Sequence, residues 1–239
     1  MKMKFYYIYF IICLIEILNA VVVENGNDII NYFSKSKENI FLNINSEIDI
    51  TEEIKINVSI KKISFVGNSL VSAKLNLKYP LRFDSNIEEI EIKDINIDGK
   101  LFFKKKKIKK VIFNSVNLNG YIDFDFDNNS NNVIELTYLT YKPTGELVEN
   151  CINLSGNLKI NKSNFYGNSS CRNRLLHFNG YDKYSLDLKE SKFYGKYECP
   201  FLSIEYTSNA NIETSYFEKG YSSKNIDGGY IKKKRKLFY

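Results

Sequence analysis

Three carboxylates in a row offer the most suggestive chemistry in this chain. Tyr121-Ile-Asp123-Phe-Asp125-Phe-Asp127 alternates polar and apolar residues, so on a strand Asp123, Asp125 and Asp127 share one face. Such acids serve as proton donors for sugar cleavage or as ligands for a hard cation. A plainer reading is favoured. Phe102, Lys104 and Lys106 lie 21 residues earlier, and Thr144, Glu146 and Val148 lie 21 residues later. If 21 residues make one structural unit, Asp125 lies over Lys104 and Asp127 over Lys106, with Glu146 following Asp125: a surface charge ladder.

The other reactive residues are sparse. His177 is the only histidine and has no nucleophile motif beside it; one unit on, its expected counterpart is Glu205. No Cys/His cluster has metal-ligand spacing, so no cofactor or metal is expected. The run Lys104–Lys110 suits a solvated loop better than a polyanion site, and it lacks the interleaved aromatics of nucleic-acid binders.

The N-terminus reads as a secretion signal. Lys2 and Lys4 precede an apolar stretch from Phe5 to Leu18, broken only by Glu16, with Ala20 suited to cleavage. The stretch is short for a membrane span, and no stable span is expected after cleavage. Residues 1–20 are therefore assigned to the signal and secretion to the extracellular space or cell surface is expected. Cys151, Cys171 and Cys199 then remain, which suggests one disulfide and one free thiol. Asn57, Asn128, Asn153, Asn161 and Asn168 head glycosylation sequons.

The elements that must carry these residues are strands. The chain of 239 residues holds 18 Tyr and 17 Phe but 3 Pro, and is rich in Ile and Asn, a strand-and-turn composition. Its net charge of +6 is modest, and much of it sits in Lys104–Lys110 and Lys232–Lys236. Only Asp28–Lys37 has helical periodicity, with Ile29, Ile30 and Phe33 on one side.

From Ile40 the period is two, and a longer repeat emerges: apolar-x-apolar-x-x-(apolar or Ser)-x-apolar-x-Gly. It places Phe65, Ile97, Leu118, Leu139, Phe165, Phe193 and Phe217 in one predicted column. Steps of 20–30 residues without a helix in each unit describe a solenoid coil, which buries its apolar side only by stacking on its neighbours. A leucine-rich-repeat solenoid is the alternative. It wants Asn or Cys where this chain has Ile63, Ile95, Val116, Ser163, Ser191 and Ser215.

The segments Asn161-Lys-Ser163-Asn-Phe165-Tyr-Gly167, Ser191-Lys-Phe193-Tyr-Gly195 and Ser215-Tyr-Phe217 with Asp227-Gly-Gly229-Tyr230 resemble repeats of the pectin-lyase-like superfamily. The resemblance implies an all-β, right-handed parallel β-helix with a short N-terminal capping helix. It implies a fold and leaves activity open, because such repeats occur in hydrolases, lyases and adhesins. The expected organisation is a cap with first strands over 21–57, coils over 58–231, and a basic tail over 232–239, disordered or truncated.

Function is expected to be non-catalytic: surface display, adhesion or contact with a polysaccharide or cell-surface glycan, without nucleic acid. The alternative is a polysaccharide lyase or glycoside hydrolase acting on acidic polysaccharide. Asp123, Asp125, Asp127 and Glu146 are the candidate carbohydrate or metal contacts. The repeat also makes a sharp prediction. Cys171 and Cys199 each lie eight residues after their serine, so they should stack in consecutive coils and form the disulfide, leaving Cys151 free.

Overall fold

The computed structural model describes residues 20–36, 39–84, 86–103, 107–124, 131–220 and 231–234. The chain forms a parallel β-helix of about eight turns, in which every strand pairing is parallel. Among the described residues there is one helix, α1 (Gly26–Lys35), so no coil carries its own and the leucine-rich alternative fails.

Each coil presents up to three strand faces. Face A contains β2 (Ile40–Ile44), β4 (Lys62–Gly67), the start of β7 (Glu89–Phe103), the start of β8 (Lys110–Phe124), β9 (Val133–Thr137), β12 (Asn157–Asn161), β15 (Ser185–Lys189) and β18 (Asn209–Glu213). Face B contains β3 (Glu47–Ile50), β5 (Lys74–Leu77), the middles of β7 and β8, β10 (Thr140–Lys142), β13 (Asn164–Tyr166), β16 (Lys192–Tyr194) and β19 (Tyr216–Glu218). Face C contains β6 (Leu81–Phe83), the ends of β7 and β8, β11 (Val148–Leu154), β14 (Cys171–Asn179), β17 (Leu202–Glu205) and β20 (Ile231–Lys234). The tail expected from residue 232 thus begins within a strand; residues 235–239 and the expected signal residues 1–19 lie outside the described residues.

The N-terminal end is closed by β1 (Val21–Val23) on β2 and by α1. Asn25 caps α1: its Oδ1 accepts from the Asp28 amide at 3.1 Å, and Asp28 Oδ2 accepts from the Asn25 amide at 3.3 Å. Ile29 and Phe33 are buried, with the Phe33 ring 5.7 Å from Phe65. Since β1 and β2 already stack, the coils begin well before residue 58.

Period-two alternation points every second side chain inward, and stacking turns these into ladders. On face B the inner column is Ile48, Leu75, Ile97, Leu118, Tyr141, Phe165, Phe193 and Phe217. Five residues of the predicted column are present. Phe65 and Leu139 are not: Phe65 stacks on Ile92 in face A, and Tyr141 occupies the place expected for Leu139. The first error comes from equating two kinds of glycine. Gly67 ends a face A strand at the A–B corner, where a Cβ would strike the Asp94 carbonyl, whereas Gly99 and Gly120 sit at the B–C corner. The second is a slip of two residues: Leu139 takes the corner position beside Ser163, and Tyr141 follows it into the column. The buried Tyr141 hydroxyl donates to the Gly120 carbonyl at 2.6 Å and lies 3.1 Å from that of Cys151.

The A–B corner uses left-handed backbone at Asp94, Ser115, Tyr138, Lys162, Glu190 and Thr214, with φ from 47° to 55°. Such backbone costs roughly 1–2 kcal/mol per non-glycine residue. In the later coils serine hydroxyls offset it. Ser191 Oγ accepts from the Ser163 amide at 3.1 Å, Ser215 Oγ from the Ser191 amide at 3.2 Å, and each hydroxyl donates to the carbonyl two residues back. The "apolar or Ser" position of the repeat is therefore the inside of this corner.

Candidate functional site

A concavity of about 300 Å³ lies at the B–C corner. Its floor is made by Gly99 and Gly120, stacked on one another. Both have positive φ, 145° and 154°, and a Cβ on Gly120 would collide with the Gly99 backbone. The walls are Lys78–Pro80 from the loop after β5, and Pro143–Glu146 from the loop before β11. Lys100 and Tyr121, the residues that follow the two glycines, complete it.

Lys100 Nζ meets Glu146 Oε2 at 2.5 Å across this groove. Tyr79 is 45% exposed, while the Tyr121 hydroxyl accepts from Asn153 Nδ2 at 2.9 Å. Partial burial, reinforced by Asp123, pushes the Tyr121 phenol above its ordinary range, against the pull of the Asn153 bond. Below Tyr121 the face continues as an aromatic strip: its ring is 5.5 Å from Phe102, over which Arg82 lies at 4.6 Å. A shallower cleft adjoins the groove, lined by Asp49, Asn76, Asp98 and Asn119, the outward row of face B.

The candidate carboxylates are not assembled as expected. Asp123 stands on face C between Phe102 and Asn153, in the register anticipated against Phe102. Asp125, Asp127, Lys104 and Lys106 lie outside the described residues. Glu146 does not follow the aspartate strand: Asn153 takes the place after Asp123, because the loop before β11 lengthens that coil. The loop carries Glu146 to Lys100 instead. His177 stacks between Asn153 and Ser203, two residues short of the expected Glu205, because the step from β14 to β17 is shorter by that amount. Among the described residues no group of His, Cys, Asp and Glu is arranged to hold a metal ion.

The disulfide prediction is overturned. Cys151 bonds Cys171, with Cα atoms 5.2 Å apart, and Cys199 is free and buried. In the strand register Val148, not Cys151, is the partner of Cys171, and the pairing shifts by one residue between there and Asn150–Arg174; the disulfide joins the two strands diagonally across this irregularity. The 28-residue step holds as far as Tyr166 and Tyr194 but falls to 26 by His177 and Ser203, and the Cys199 Sγ fills the space that a side chain at Gly167 would need. Burial pushes its thiol up to about 12.

Three of the four described sequon asparagines bond within the fold. Asn57 Nδ2 donates to the Ser34 carbonyl, Asn153 to Tyr121, and Asn168 to the Pro143 carbonyl, while Asn161 Oδ1 is buried without a partner. Asn128 lies outside the described residues. Of the groove, only Glu146 was foreseen. Lys100 and Tyr121 each follow a repeat glycine, which is the signal that could have marked them.

No family model matches the chain, and no curated protein or solved structure matches it either.

Proposed function

We propose that this is an extracellular, non-catalytic β-helix protein that contacts glycan through the B–C corner groove, in surface display or adhesion. The observation that carries the reading is the lining of that groove. Two tyrosines, two lysines and a threonine surround a glycine floor on which a flat polyhydroxylated ring can approach the backbone. Glu146 is the one carboxylate among its lining residues and is bonded to Lys100, so no acid pair flanks a scissile bond there. The secretory route rests on the N-terminal charge-and-apolar pattern, with which the Cys151–Cys171 bond agrees. The finer likeness to pectin-lyase-like repeats rests on the Ser-x-Phe-x-Gly segments.

A glycan array followed by calorimetry on its hits tests the reading. Binding that weakens at least tenfold in Tyr79→Ala and Tyr121→Ala supports it. No binding to any glycan, or binding indifferent to both substitutions, overturns it. Robust release of reducing or unsaturated sugars would replace it with polysaccharide cleavage.

A further inference from the structure

Face B carries its charges sorted along the axis of the coil. Its outward side chains run in two rows. The first is Glu47, Lys74, Asn96, Asn117, Thr140, Asn164, Lys192 and Tyr216. The second begins with Asp49, Asn76, Asp98, Asn119 and Lys142; Lys142 lies over the Tyr166 ring, and Tyr166, Tyr194 and Glu218 continue it. Lys219 lies just past this row, with Nζ 3.0 Å from the Tyr194 hydroxyl.

Bonds within the chain do not cancel the sorting. Lys74 Nζ reaches both Glu47 at 3.1 Å and Asp98 at 2.9 Å, and Lys192 reaches Glu218 at 3.5 Å. Within the two rows, three acids against one lysine leave net −2 over β3, β5 and β7, and two lysines against one acid leave net +1 from β10 to β19; one further lysine lies just past each half, Lys78 after β5 and Lys219 after β19. The coil between them, β8, contributes only neutral Asn117 and Asn119 to the face.

We propose that face B is the interface of a two-fold symmetric dimer, its occupant a second copy of this chain. A two-fold axis parallel to the strands, above Asn117 and Asn119, preserves position along each strand and inverts the order of coils. It therefore sets row against like row. Asp98 then faces the partner's Lys142, Glu47 faces the partner's Lys192, and Asp49 faces the partner's Tyr194, each contact occurring twice. The coil counts match without adjustment: Asp98 and Lys142 are one strand either side of β8, and Glu47 and Lys192 three strands either side. A purely anionic partner would suit Lys142 and Lys192 but be repelled by Glu47, Asp49 and Asp98; a cationic one meets the reverse. Only a partner with the same sorting satisfies both halves. Seven strands about 4.8 Å apart give a contact roughly 30 Å long. That is small for an interface, so the dimer is weak and sensitive to salt. The inference is independent of the glycan reading.

Sedimentation equilibrium of the full chain tests it. A monomer–dimer equilibrium is expected, shifting at least tenfold toward monomer when salt rises from 50 to 500 mM (an order-of-magnitude expectation from screening). Lys142→Glu with Lys192→Glu should weaken association at least tenfold, as should Glu47→Lys with Asp98→Lys. An equimolar mixture of the two double variants restores every pair and should associate about as well as wild type. Circular dichroism establishes that each variant is folded; if the second is not, the first variant and the salt series decide. A monomer throughout, a dimer indifferent to Lys142→Glu with Lys192→Glu, or an assembly larger than two overturns the proposal.

Discussion

Faces A and B are built on the same backbone ladder, yet they dispose of their charges in opposite ways. On face A opposite signs meet at close range, between neighbouring strands or along one strand. Glu135 lies 3.7 Å from Lys110 and 3.4 Å from Lys159, and Lys189 lies 3.6 Å from Asp187 and 3.4 Å from Glu213. Each of these charges is answered within its own face. On face B acids gather at one end and lysines at the other, with a neutral strand between. Parallel stacking makes either pattern available, because residues one coil apart always become neighbours. A face whose charges are locally matched needs nothing further. A face whose charges are sorted keeps a field directed along the coil, which another molecule can complement.

The contrast is sound only if both faces rest on one core, and the largest expected effect tests this. Phe193 stacks between Phe165 at 4.7 Å and Phe217 at 4.9 Å and is fully buried. Phe193→Ala should cost about 3–5 kcal/mol by denaturant unfolding. A loss confined to one face, visible as a biphasic transition, would break the comparison.

The next effect concerns the staple between the fifth and sixth coils. The Cys151–Cys171 bond spans a separation of 20 residues, and Cys151→Ser should lower stability by about 3 kcal/mol in the chain-entropy model. Cys199→Ser should leave the disulfide intact in a non-reducing peptide map. A map of the wild-type protein showing Cys171 joined to Cys199 would restore the pairing expected from the repeat.

Cys199 also predicts a pH dependence. Its thiol titrates near 9 when unfolded and at about 12 when folded. The folded state thus holds a proton that the unfolded state has released, and stability falls as pH rises from about 9 to 12. The slope is about 1.4 kcal/mol per pH unit. The buried Tyr141 phenol, raised well above its usual value by burial, acts in the same direction at higher pH. Melting temperatures of Cys199→Ala should decline less steeply than wild type over this range; equal slopes would remove Cys199 from the account.

Ser191→Ala should cost about 1–3 kcal/mol, by leaving the Ser163 amide without its acceptor at a buried corner. The smallest effect bears on face A directly. Glu135→Lys removes two exposed pairs and should change stability by less than about 1 kcal/mol, with the sedimentation behaviour unchanged. If Glu135→Lys altered association as much as Lys142→Glu with Lys192→Glu, the two faces would no longer be distinguishable.

Much of this architecture is legible along the chain. Alternation from Ile40 onward, glycines and serines at recurring offsets, and one short helical stretch already imply stacked coils. The column Ile97, Leu118, Phe165, Phe193, Phe217 was placed correctly. This legibility has a physical cause: inward pointing recurs every second residue, and a coil must repeat its apolar positions to stack. What escaped was whatever depends on which corner a residue occupies. Gly67 and Gly99 look alike in sequence but turn different corners, and Tyr141 sits in the core only because the Gly120 carbonyl receives its hydroxyl. Loop length between strands has no period, so the chain alone could not show that Glu146 reaches Lys100, or that Cys151 meets Cys171 across a shift in the β11–β14 register. Local alternation determined which residues face inward; the number of residues in each loop, expressed only once the coils stack, decided which of them meet.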